Sequence, residues 1–104
     1  MVKIDNWQDP ELKEAVLIWT GYGISNFPRR DKSVIQKRFG SDASKWMSTI
    51  NFLVDDFYET DANSKAEDIS EMWSISIADF KAKFPDAPDD ITKALAWCYT
   101  FDNR

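Results

Sequence analysis

SKWMSTINFLVDDFY, residues 44–58, carries more large apolar side chains at helical spacing than any other segment of the chain. At about 3.6 residues per turn, Trp46, Ile50, Leu53 and Phe57 fall on one line, and Met47, Val54 and Tyr58 on a second line roughly 100° away. Two adjacent apolar lines make a wide face, and a helix with such a face is expected to be wedged between neighbours. The expected architecture is therefore all-α: a compact single-domain bundle of about five or six short helices, residues 1–104, around a central helix at about 44–58.

Toward the N-terminus, Gly40 is the natural end of a short helix in which Val34, Ile35, Arg38 and Phe39 share a face and Asp31 caps the start. Ser41 or Asp42 then opens the long helix. Asp9 before Pro10 marks an earlier start, because the carboxylate accepts an orphan amide proton and proline suits the first helical position. That helix should bury Leu12, Ala15, Val16 and Trp19 and end at Gly21 and Gly23. ISNFPRR, residues 24–30, is a loop in which Phe27 is either tucked inward or exposed. Residues 1–8 form an irregular arm with Ile4 and Trp7 as its anchors.

Toward the C-terminus, Ser64-Lys65-Ala66-Glu67 has the spacing of a capping box and should begin a helix with Ile69, Met72 and Trp73 inward. WSISIA, residues 73–78, alternates as a strand would, but VKID at 2–5 is its one candidate strand partner. The favoured expectation is a break, with Ser76 and Asp79 opening a short helix that buries Ile77, Phe80 and Phe84 before Pro85. A single kinked rod is the other helical solution. Pro88 and the acids after it start the last helix, which should bury Ile91, Ala94, Leu95, Cys98 and Phe101.

Composition fits this architecture. Hydrophobic residues at 43% supply a core, and only three Gly and four Pro in 104 residues argue against disorder. The longest apolar run, Ala15 to Trp19, falls far short of the roughly 20 residues a membrane span needs, so no membrane association is expected. The N-terminal MVKIDNWQDP is too polar for a signal peptide, and a lone Cys98 suits a reducing compartment, so the expected location is cytoplasmic. The net charge of −5 is segregated: −2 over residues 1–27, +4 over 28–45 and −7 over 46–104. Residues 28–45, flanked and interleaved by Phe27, Phe39 and Trp46, are the stretch a nucleic-acid reading would use. A chain this acidic is repelled by phosphate backbones at long range, and a basic protein partner fits the balance better.

Histidine is absent, which removes the commonest general base and the commonest metal ligand. With a single cysteine, Ser-His-Asp, Cys-His and Cys-x-x-Cys constellations are all excluded, and no Gly-rich phosphate loop or EF-hand loop occurs. No catalytic residue, metal ligand or cofactor is assigned. The surviving enzyme reading is carboxylate chemistry: Asp55 and Glu59, and Glu67 and Glu71, stand four apart, and two such helices facing each other would hold a divalent ion.

Phe52 breaks the pattern of the long helix, falling among Ser48, Asp55, Asp56 and Glu59 and away from both apolar lines. Either a neighbouring element covers it or it anchors a partner, since an aromatic ringed by charge is typical of binding hot spots. The expected partner-binding residues are Phe52, Asp55, Asp56 and Glu59, together with Trp97 at the edge of its stripe and the pair Arg29 and Arg30. The expected function is a small acidic protein-binding module that masks a basic protein, in the manner of an immunity protein, antitoxin or inhibitor. The alternatives are the divalent-metal enzyme and a nucleic-acid-binding domain using 28–45.

Overall fold

The computed structural model describes Ile4 and residues 6–104, and among them every regular element is helical. Four helices of 11 to 15 residues carry the fold: α1 (Pro10–Thr20), α3 (Ala43–Phe57), α5 (Ile69–Lys83) and α6 (Asp89–Asp102). The eight-residue α2 (Lys32–Phe39) and the single turn α4 (Ala62–Lys65) complete the set.

Several ends form as local chemistry dictates. The Asp9 carboxylate accepts from the Glu11 amide ahead of Pro10, and Asp31 accepts from the Ser33 amide at the start of α2. Gly21 closes α1 with a left-handed backbone. Gly40 (φ 56°, ψ −118°) turns α2 into a 3₁₀ turn, Gly40–Asp42, that runs directly into α3. Neither Ser41 nor Asp42 caps α3 with its side chain, because that 3₁₀ turn supplies the entry instead.

The capping box lies four residues beyond its expected place. Ser64 sits inside α4, where its hydroxyl donates to the Asp61 carbonyl (2.9 Å), so it is not free to start a helix. Asp68 caps α5, accepting from the Glu71 amide (2.7 Å), while the Glu71 carboxylate accepts from the Glu67 amide (3.3 Å). Residues 73–78 lie within one uninterrupted α5, neither strand nor break. Ser76 explains the misleading alternation: it is fully buried, and its hydroxyl is satisfied by the Trp73 carbonyl at 3.0 Å, so it occupies a core position despite being polar. VKID, the proposed strand partner, falls largely outside the described residues. Ile69, expected inward, is exposed on the first turn of α5.

Burial does not centre on α3 alone. Trp46, Ile50, Leu53 and Phe57 are buried as one line, but Met47, Val54 and Tyr58 on the second line are half-exposed. The helix buried on several sides is α6, packed between α1 and α5. Ile91, Thr92, Ala94, Leu95, Ala96, Cys98, Tyr99 and Thr100 are all buried, an arc of roughly 240° at 100° per residue. Small side chains let neighbours approach there. The Thr92 and Thr100 hydroxyls donate to Pro88 and Ala96 carbonyls (both 2.9 Å), so neither is left unsatisfied in the core. Phe101, expected inside, is half-exposed and covered by the Arg104 guanidinium.

Candidate functional site

The acid-plus-aromatic face of α3 is largely spent inside the molecule. Phe52 is half-buried against the core, edge-on to Phe84 just past α5 (6.3 Å between centroids), and Trp7 of the N-terminal arm packs on the same Phe84 (5.6 Å). Asp56 binds the Lys83 ammonium, which also approaches Glu59 at 3.4 Å. Partial desolvation opposes the charge on Lys83, but the Asp56 hydrogen bond and the nearby Glu59 outweigh it and hold its pKa above the usual lysine value. Only Asp55 on this face is exposed without an ion pair among the described residues. Trp97 is half-buried, with the Tyr22 ring tilted against it at 5.6 Å between centroids.

Arg29 and Arg30 have separate roles. Arg30, at φ 52°, sends its guanidinium to Asp102 near the end of α6 (2.6 Å), and the Tyr58 hydroxyl donates to the same carboxylate oxygen (2.6 Å). Burial works against the Asp102 charge, but these two hydrogen bonds win and hold its carboxyl below the usual range. Burial and the adjoining carboxylate push the Tyr58 phenol well above its ordinary value. Cys98 lies nearby, and burial raises its thiol to about 11, which keeps it protonated and unreactive.

The open apolar surface lies elsewhere, between α1 and α2. The α1–α2 loop folds tightly over Gly21: Ile24 and Ser25 amides donate to the Gly21 carbonyl (3.0 and 2.8 Å), and the Arg29 amide donates to Thr20 (2.9 Å). The Arg29 alkyl stem rests so close to Gly21 that a Cβ there would lie 3.1 Å from its Cγ. This folding leaves Ile24 63% exposed as a wall beside two adjoining hollows that share Glu14, Ile18 and Ile24: one between α1 and α2 with half-buried Ile18 and Val34 as its floor, and one on α1 alone with half-buried Leu17 and Ile18. Arg29 and Lys37 stand on the rim. Arg38 is also there, but Glu14 holds its guanidinium in a two-pronged ion pair (2.5 and 3.0 Å). Phe27, on the same loop, is exposed at 59%.

Of the residues expected to bind a partner, the structure thus places Arg29 at a groove and gives Phe52, Asp56, Glu59, Trp97 and Arg30 intramolecular partners. Leu17, Ile18 and Ile24, which line the open apolar surface, are not among the residues singled out from the sequence. Their signal is present in α1, where Leu17 and Ile18 are apolar yet lie outside the Leu12–Ala15–Val16–Trp19 stripe. The carboxylate pairs do not converge: among the described residues no group of three acidic or thiol side chains is placed to hold a metal ion. Of the aromatics in and around 28–45, Phe39 and Trp46 are buried and cannot stack on bases, leaving Phe27. No helix among the described residues is long and apolar enough to cross a membrane. Comparison of the chain with protein-family models, curated proteins and solved structures finds no significant match.

Proposed function

We propose that this protein is a small non-enzymatic protein-binding module. The observation that carries this function is the α1–α2 groove, where a large exposed Ile24 stands beside Ile18 and Val34 and adjoins a second apolar hollow with Leu17 on α1. Contiguous apolar surface rimmed by polar groups is a common mark of protein interaction sites. Absence of histidine and the protonated, buried state of Cys98 leave the chain without an evident nucleophile or base.

A second reading retains the acidic surface as the binding face, masking a cationic protein as an immunity protein or antitoxin does. Asp55, exposed and without an ion pair among the described residues on a segment of net charge −7, favours it. Affinity capture from the native host with three baits separates the two: wild type, Ile24→Glu and Asp55→Lys. A partner lost by Ile24→Glu and kept by Asp55→Lys supports the groove. The opposite pattern supports masking through the acidic surface, and a partner insensitive to both changes sinks each assignment.

A further inference from the structure

We propose that the α1–α2 groove seats an acidic amphipathic helix from a partner protein, an assignment that rests on the protein-binding function above. Ile18 and Val34 floor the hollow between α1 and α2 with Ile24 as the wall, and the adjoining hollow with Leu17 extends this apolar surface along α1, which is about 16 Å long at 1.5 Å per residue. An occupant of similar length needs about three apolar contacts at i, i+3 or i+4, and i+7. A helix suits this surface better than an extended segment. α1 and α2 have their backbone groups hydrogen-bonded internally, and the amide of the Ile24 wall is taken by the Gly21 carbonyl, so a strand laid over the apolar floor would find no ladder of partners for its own amides and carbonyls. A helix arrives with its own backbone satisfied.

Charge selects the sign of the occupant. Arg29 and Lys37 make no ion pair among the described residues, and although Asp31 lies close enough to interact with both, the charged lining of Glu14, Arg29, Lys37 and Arg38 is net cationic on a chain that is acidic overall. A basic helix would be repelled by these two rim cations, whereas Asp or Glu flanking the apolar contacts would meet them. A second copy of the chain is a poor occupant. Besides Ile24 and Phe27, the one large exposed apolar residue among those described is Ile69, isolated at the start of α5, so no helix offers a free apolar face.

The test is a displayed library of short helices with apolar residues fixed at the three contact positions and Asp, Glu, Gln, Lys and Arg allowed at the flanks. It is selected on the full-length protein and counter-selected on Ile24→Glu. Ile24 is mostly exposed, so that variant should fold, which its circular dichroism and melting curve verify. Retained sequences are expected to be rich in flanking Asp and Glu and to bind Ile24→Glu at least about tenfold more weakly. They should lose affinity as salt rises, and Arg29→Glu/Lys37→Glu should reverse the preference toward Lys and Arg. Groove-dependent helices with no acidic preference, or with a basic one, would overturn the assignment. So would a library with no member that distinguishes Ile24→Glu, or a wild-type dimer in sedimentation that Ile24→Glu dissolves. Capture of a natural partner that Ile24→Glu abolishes would still leave the broader binding function standing in those cases.

Discussion

Asp102→Ala should be among the more costly polar substitutions in this protein, although its side chain is 28% exposed and lies two residues before Arg104. One carboxylate oxygen accepts from Arg30 of the α1–α2 loop and from Tyr58 at the end of α3, so the removal unties two elements from α6 at once. A buried hydrogen bond to a charged group contributes about 1.5–3 kcal/mol, and exposure of roughly a third of each ion-pair side chain should halve that, leaving about 2 kcal/mol for the two together. In a domain of this size such a loss lowers Tm by roughly 8–16 °C. Asp102→Asn keeps an acceptor without the charge and should cost about half as much. The folded Asp102 pKa lies below its unfolded value, so its contribution is present above the ordinary carboxylate pKa of about 4 and is lost as pH falls through the folded pKa. Tyr58 has the opposite sign: its raised pKa contributes below the ordinary tyrosine value of about 10, and that contribution declines as pH rises beyond it. Urea unfolding of Asp102→Ala, Tyr58→Phe and the double variant at several pH values measures all of this. A cost below about 0.5 kcal/mol, or strict additivity of the two changes, would show that the shared carboxylate is not a tie.

Leu53→Ala should destabilise by about 2.5–4 kcal/mol in the same assay, from roughly three lost methylene equivalents at about 0.8 kcal/mol each plus a residual cavity, because Leu53 is fully buried. Phe52→Ala should cost roughly 1–2 kcal/mol through loss of the Phe84 contact while leaving partner affinity intact; weakened binding with an unchanged melt would restore Phe52 as an anchor. Gly40→Ala should cost about 1–3 kcal/mol although a Cβ there would meet nothing within 4 Å, because φ 56° with ψ −118° is backbone that L-residues avoid; an unchanged Tm would mean that the turn relaxes freely.

The elements legible in the sequence are those whose signals are local. Asp9-Pro10, Asp31 and Gly40 act on their own neighbours, and the Trp46–Phe57 line needs only helical periodicity to be read. What was hidden depends on pairing across the chain or on buried hydroxyls. Thr92, Ser76 and Thr100 look like surface residues until their hydroxyls are seen bonded to the carbonyls of the preceding turn, and this made α6 seem one-sided and α5 seem broken. Phe52 looks anomalous in the sequence because its partner Phe84, on which Trp7 also packs, reaches it from 32 residues away, a distance at which no periodicity speaks. The acids of α3 could be counted but not assigned, since Lys83 meets Asp56 and Glu59 only once α5 is packed beside α3.

The same tertiary dependence links the Asp102 tie to the groove. Residues 24–30 supply both, and adjacent arginines serve each: Arg29 lies over Gly21 toward the groove rim, and Arg30 turns to Asp102. Arg30 adopts φ 52°, a left-handed backbone that costs a non-glycine residue on the order of 1 kcal/mol. A loop required only to join α1 to α2 would place glycine or asparagine there. The arginine side chain offsets that cost by reaching Asp102 of α6, and the resulting tie holds the loop down on the last helix. Ile24 stands in the same loop at the opposite extreme, contributing little to folding when 63% exposed, so a polar residue would serve the fold equally well. The fold accounts for Arg30, whereas the exposed apolar side chain of Ile24 is what the proposed binding function rests on, and Ile24→Glu probes that function while leaving the Arg30–Asp102 tie in place.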